Sequence, residues 1–168
     1  MTFARIAVVQ GGPNAVIQGI FETLVDRWGG SARLAGVLAE THGLADRACS
    51  AGFLRDIRSG ERFSIFQDLG PGSTECHLDG VAVAPATAAV QRGIAAGCDL
   101  VVLCKFGKLE AGNSGLADAF RAALDADIPL LTSVSPAQDA AWEQFAAPRF
   151  VKLPADPAAI DAWWQAVR

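Results

Sequence analysis

LVVLCKFGKLEAGNSG, residues 100–115, opens as a strand and ends as the approach to a helix. Four unbroken apolar residues, Leu100 to Leu103, read as a strand buried on both faces, the kind found in parallel sheets. In an open α/β sheet, ligands bind beyond the carboxyl ends of the parallel strands. Cys104, Lys105, Lys108 and Glu110 therefore crowd the place where such a fold builds its site. This segment sets both the expected fold and the expected site.

Outward from it the chain alternates strand and helix. Residues 5–10 (RIAVVQ) form a short β-branched run, closed by Gly11-Gly12-Pro13-Asn14, with Asn14 suited to cap a helix. Val16, Ile17, Ile20, Phe21, Leu24, Val25 and Trp28 then recur at helical spacing, and Gly29-Gly30 ends the helix. Residues 34–39 (LAGVLA) supply a second strand, so the first third is a βαβ unit with a right-handed crossover. Residues 52–57 and 62–68 alternate across Arg58-Ser59-Gly60-Glu61 and predict an antiparallel hairpin. A helix over 83–96 follows, ending at Gly97. Beyond the strand at 99–104 come a helix over 114–126, a strand at 129–134 and a helix over 137–145. A strand at 149–153 and a helix over 157–167 complete the order. The expected class is α/β: one domain over residues 1–168, three layers (α/β/α), mostly parallel with one antiparallel hairpin.

Composition narrows the functions. Hydrophobic residues make up 51% of the chain and charged ones 19%, enough apolar matter to build a full core and too little charge for disorder. A net charge of −4 with interspersed signs and no basic run argues against a nucleic-acid surface. No apolar run reaches the roughly 18–20 residues of a membrane helix, and MTFARIAVVQ lacks a signal-peptide pattern. The expectation is a cytoplasmic protein without membrane or nucleic-acid partners. Its cysteines, Cys49, Cys76, Cys98 and Cys104, are then expected as thiols, and none forms a Cys-x-x-Cys pair.

The first turn sits where a phosphate-binding loop would, but without its parts. That loop reads G-x-x-x-x-G-K-[ST]; its amides cradle phosphate, its lysine reaches the terminal phosphates and its hydroxyl holds magnesium. Here the window is Gly11 to Gln18, with Val16, Ile17 and Gln18 at the three last positions. In such hydrolases a second apolar strand ends in a magnesium-holding aspartate, often beside a glutamate that activates water. This chain has Cys104 and Lys105 there. Both strand ends lack the apparatus to hydrolyse a magnesium triphosphate. A helix start still offers free amides and a positive dipole end to a small anion, whereas the plainer reading is a turn and a cap.

Lys105-Phe106-Gly107-Lys108-Leu109-Glu110, with Cys76-His77-Leu78-Asp79 upstream and Gly36-Val37-Leu38-Ala39-Glu40 near the start, resembles the bacterial family called domain of unknown function 2478. Its signatures include K-F-G-K-x-E and C-x-L-D, and the resemblance extends to Asp161-Ala162-Trp163-Trp164. It implies a P-loop nucleoside-triphosphatase-like fold, degenerate at the site, and a genomic setting near molybdate-transport genes. It brings no established activity. Cys104 departs from the asparagine usual in the family, which counts against resting a mechanism on that side chain.

The candidate site thus joins Gly11, Gly12, Asn14 and Ala15 to Lys105, Lys108 and Glu110. The lysines are suited to an oxyanion or a nucleotide phosphate; a surface Lys108–Glu110 pair is the plainer alternative. Cys76 and His77 have the chemistry of a zinc or copper site, with Asp79 able to fix the imidazole tautomer. They lack a second ligand pair, and Asp79 as a helix cap with Cys76 as a small hydrophobe accounts for them as well. His42 falls beyond the second strand, and Trp142, Trp163 and Trp164 read as docking residues for the last helices. A tryptophan left partly exposed there would mark a homo-oligomer patch. The leading expectation is a non-hydrolytic protein that binds a small anion or nucleotide and serves molybdenum or other oxyanion metabolism. The rivals are a nucleoside-triphosphatase-like enzyme with an unorthodox site, a thiol-based metal or cofactor carrier, and a plain interaction module.

Overall fold

The architecture comes from a computed structural model that describes residues 4–41, 51–65, 81–147 and 149–168. The elements run β1 (Ile6–Gln10), α1 (Asn14–Trp28), β2 (Leu34–Thr41), β3 (Ala51–Asp56), β4 (Arg62–Ser64), α2 (Ala84–Ala96) and β5 (Leu100–Leu103). They continue with α3 (Lys108–Ala111), α4 (Ala117–Asp125), β6 (Leu130–Ser133), α5 (Asp139–Ala146), β7 (Phe150–Pro154) and α6 (Pro157–Val167). The strands form one sheet in the order β4-β3-β2-β5-β6-β1-β7. From β2 to β7 all neighbours are parallel, and β3 and β4 extend the β2 edge antiparallel. This is the α/β class expected, with the hairpin in place, and it is compatible with a P-loop nucleoside-triphosphatase-like fold.

The apolar periodicities sort the helices onto two faces. Ile17, Phe21, Leu24 and Trp28 of α1 pack with Ile160, Trp163 and Trp164 of α6 against Ala7, Val9, Leu100, Val102 and Leu131. Val8, Val101, Leu103 and Leu130 point the other way, into the side chains of α2, α4 and α5. Alternate residues of β1, β5 and β6 thus feed opposite cores, which is why these strands read as continuous apolar runs. Trp28 donates its Nε1 hydrogen to Asp161 Oδ1 at 2.7 Å and joins α1 to α6.

Trp142, Trp163 and Trp164 are all buried, and Trp163 Nε1 donates to the Ala4 carbonyl at 2.8 Å. They dock helices, as expected, and leave no exposed tryptophan patch. Asn14 is not the α1 cap. Pro13 is, at φ −58° and ψ 143°, its carbonyl accepting from Val16 and Ile17; Asn14 is already helical. The Pro13 ring fixes φ and its ψ is extended, so Pro13 takes the cap position and the helix starts one residue earlier. The helix expected over 114–126 begins at Ala117, because residues 108–111 form a separate single turn. Among the described residues no helix is long and apolar enough to cross a membrane.

Candidate functional site

The site forms at the carboxyl edge of the sheet because adjacent strands send their chains to opposite faces. After β1 the chain enters α1 on one face; after β6, its neighbour, the chain enters α5 on the other. A crevice opens where such connections diverge. Here it is a cleft of about 430 Å³ between Gln10–Asn14, Ser133–Pro136 and Lys105, with Ile17 beside them. Its volume falls within the roughly 300–1,000 Å³ of small-molecule pockets. A second cavity, about 590 Å³, lies at the opposite edge near Arg5, Asp99 and Arg168. Its charges are largely matched already, Arg5 to Asp127 and Asp99 to Arg33.

Gly11, Gly12 and Asn14 are brought to one wall of the cleft, whereas Ala15, the next residue of α1, is not among its lining residues. Gly11 has φ +93°, a left-handed turn that glycine accepts without strain. Val16 and Ile17 donate to Pro13, but the N–H groups of Gly11, Gly12, Asn14 and Ala15 have no hydrogen-bond acceptor among the described residues. The helix begins at Asn14, so the last five positions of the eight-residue phosphate-loop window are already helical. Only Gly11-Gly12-Pro13 separates strand from helix, too short a stretch to wrap a polyphosphate. Ile17, aligned with the phosphate-loop lysine, is 4% exposed and belongs to the core.

Lys105 stands on the opposite wall, half-buried and without an ion-pair partner among the described residues. The peptides on either side of it are pinned. The Cys104 carbonyl accepts from Gln18 Nε2 at 2.8 Å and from Ser133 Oγ at 3.0 Å. The Phe106 N–H donates to the Ser133 carbonyl at 2.7 Å. Phe106 itself is fully buried among Phe120, Trp142 and Phe145, with ring centroids 5.1–5.4 Å away. The backbone around Lys105 is thus fixed at the cleft wall, and its side chain also interacts electrostatically with the Glu110 carboxylate.

Lys108 and Glu110 separate. Lys108 is exposed, whereas Glu110 is buried and accepts the Gly107 N–H at 3.0 Å and the Leu116 N–H at 3.2 Å. Burial pushes the Glu110 carboxyl above its ordinary range, with the backbone N–H groups and Lys105 opposing that shift. Its carboxylate shapes the 107–116 loop rather than facing the cleft, and the surface pair with Lys108 does not form. Cys104 turns into the core, where burial pushes its thiol up to about 12. Native protein treated with iodoacetamide at pH 8 is therefore expected to keep Cys104 unmodified and to label it only after denaturation, read by peptide mass spectrometry. Labelling of native Cys104 at the rate of a free thiol would contradict this burial.

Cys49, Cys76, His77, Asp79 and His42 lie outside the described residues, so the proposed thiol-histidine site has no geometry to report. No group of three or more potential metal ligands occurs among the described residues. Arg55 pairs with Glu22 and Glu40, and Asp56 caps the hairpin turn through Ser59. Both are spent on structure. Reading the sequence missed Gln10 and the Ser133–Pro136 segment as parts of the cleft. Gln10 donates to the Val134 carbonyl at 3.1 Å and to Asp139 Oδ1 at 2.6 Å, linking β1 to the β6–α5 connection. Their signal was positional: both end parallel strands, at the carboxyl edge.

With the lysine wall and the signature phenylalanine in place, comparison with known proteins names the group. The family described as "Protein of unknown function (DUF2478)" matches residues 6–163. The chain belongs to the DUF2478 family. This DUF2478 member is also similar to "Molybdenum import ATP-binding protein ModC 2" of Bradyrhizobium diazoefficiens, 39% identical over 110 residues. That stretch is 66% of this chain and 12% of the relative, so the chain spans a small part of that protein's length. No solved structure matched the chain.

A magnesium nucleotide, the ligand of working P-loop enzymes, finds no ligand set among the described residues. The β5 end offers a buried thiol and a lysine, and Gln18 stands at the hydroxyl position with its amide nitrogen engaged. The described lining residues instead bring free backbone N–H groups, neutral polar side chains, apolar side chains and one cation, with no carboxylate among them.

Proposed function

We propose that this protein binds a small oxyanion or a nucleotide phosphate group at the carboxyl edge of its sheet and does not hydrolyse it. The proposed role is accessory, in molybdenum or other oxyanion metabolism. One observation carries the reading: unpaired backbone N–H groups of the β1–α1 turn and Lys105, which has no ion-pair partner among the described residues, line a single cleft with no carboxylate among its described lining residues. Amides at a helix start and a fixed ammonium both favour an anion, and neither needs a metal ion to do so. No aromatic side chain on which a base could stack is among the described lining residues, which favours the small-anion form of the reading over a whole nucleotide. The printed name of the relative, a molybdenum import protein, gives molybdate first place among the anions to try.

Lys105 neutralises the ligand in this reading, and the amides of Asn14 and Ala15 orient it. Calorimetric titration with molybdate, sulfate and ATP, with and without magnesium, tests this directly. Binding of at least one anion is expected, unchanged by magnesium, with no phosphate released from ATP. Lys105→Ala is expected to weaken that binding by about tenfold or more, the equivalent of about 1.4 kcal/mol. An absence of heat with every anion, or full affinity retained in Lys105→Ala, would sink the proposal.

A further inference from the structure

We infer that Gln18 is a positioning residue that locks the two walls of this cleft, the α1 amides and the Lys105 ammonium, into one site. The inference rests on the reading of the cleft as an anion site and adds the residue that sets its geometry. Gln18 lies one helical turn beyond Asn14, which puts both side chains on the same face of α1. Its Nε2 group has two hydrogens and places them on two elements: Asn14 Oδ1 at 3.3 Å and the Cys104 carbonyl at 2.8 Å. One side chain therefore spans from the amide-bearing turn to the peptide immediately before Lys105. Ser133 Oγ adds the third point from β6, at 3.0 Å on the same carbonyl.

The other half of the Gln18 amide is less well matched. Its Oε1 is buried and has no hydrogen-bond partner among the described residues. A buried, unpaired acceptor works against stability. Turning the amide over would set oxygen against the Cys104 carbonyl, so the orientation is fixed by the two acceptors that Nε2 meets. The position holds a bond that orients Lys105 while leaving an acceptor unsatisfied, a combination expected of a residue kept for site geometry. In a P-loop hydrolase the same position offers a hydroxyl to magnesium; here its amide joins α1 to the end of β5.

The test is a double-substitution cycle on the full chain, with molybdate and sulfate as probes and the better-bound one titrated by calorimetry. Gln18→Leu removes both the bond and the unpaired oxygen, so the melting temperature is expected to move by less than about 3 °C. The dissociation constant is expected to rise about tenfold. Lys105→Gln alone should cost about tenfold, and the two together about as much as either, because Gln18 acts through Lys105. Losses that multiply to about a hundredfold would overturn the inference, as would wild-type affinity in Gln18→Leu. Where Gln18→Leu lowers the melting temperature much further, Ser133→Ala is the second variant that loosens the same carbonyl, and wild-type affinity in it would overturn the inference. If the wild-type protein binds neither probe, the reading of the cleft fails and the inference falls with it. If it binds and only Gln18→Leu is silent, the reading stands and the inference alone is wrong.

Discussion

Gly36→Ala is expected to lower the melting temperature by about 10–15 °C, the largest loss expected for a methyl group added at any of the described glycines. Gly36 lies inside β2, in register with Val102 of β5. A Cβ there would sit 1.8 Å from the Val102 carbonyl oxygen and 2.9 Å from its nitrogen. Both are backbone atoms in the centre of the sheet, so no rotamer change can relieve the overlap. The backbone φ of +124° adds strain for any L side chain. The β2–β5 ladder must open locally, at a cost on the order of 4 kcal/mol or more out of the roughly 5–15 kcal/mol that hold a domain together. Thermal unfolding followed by far-UV circular dichroism measures this. A melting temperature within 2–3 °C of wild type would show that β2 and β5 do not approach so closely.

Phe106→Ala is expected to cost about 3–5 kcal/mol and, with it, the order of the lysine loop. The ring is fully buried and makes edge contacts with Phe120 and Trp142 at centroid distances of 5.4 and 5.1 Å. Truncation leaves a ring-sized void under the loop, which a packed core fills only in part. The Phe106 backbone also forms a parallel β-bridge with Val134, which ties the lysine loop to the end of β6. Phe106→Leu, which keeps most of the apolar volume, should lose much less. The observable pair is the urea midpoint and the near-UV dichroism of the aromatic cluster. Equal stability of the two variants would remove Phe106 from the core account.

These two residues show how differently parts of the fold were legible. Phe106 stood within a recognisable signature, yet the sequence there pointed to a crowded site, and the structure makes it the anchor beneath one. Gly36 gave a weaker sign, a lone glycine inside an apolar strand, which marks a bulge or a close approach without saying what approaches. The helices of the second half were legible in order because their apolar stripes and glycine stops are local. The break between α3 and α4 was not, since it depends on Glu110 gathering the N–H groups of Gly107 and Leu116 from either side. A buried carboxylate of that kind looks in sequence like any charged loop residue.

The sequence alone determined the class, the strand and helix order, the absence of the phosphate-loop lysine and strand-end acids, and the family. Each of these is written in local pattern or residue identity. The tertiary structure alone decided which strands became neighbours, and through them that residues 10–14, 105 and 133–136 share one cleft. It also decided that Glu110 turns inward, that Cys104 is buried, and that Gln18 reaches across to the β5 carbonyl. The physical reason is common to all of them: a hydrogen bond between residues 86 positions apart depends on chain crossings that no local periodicity records.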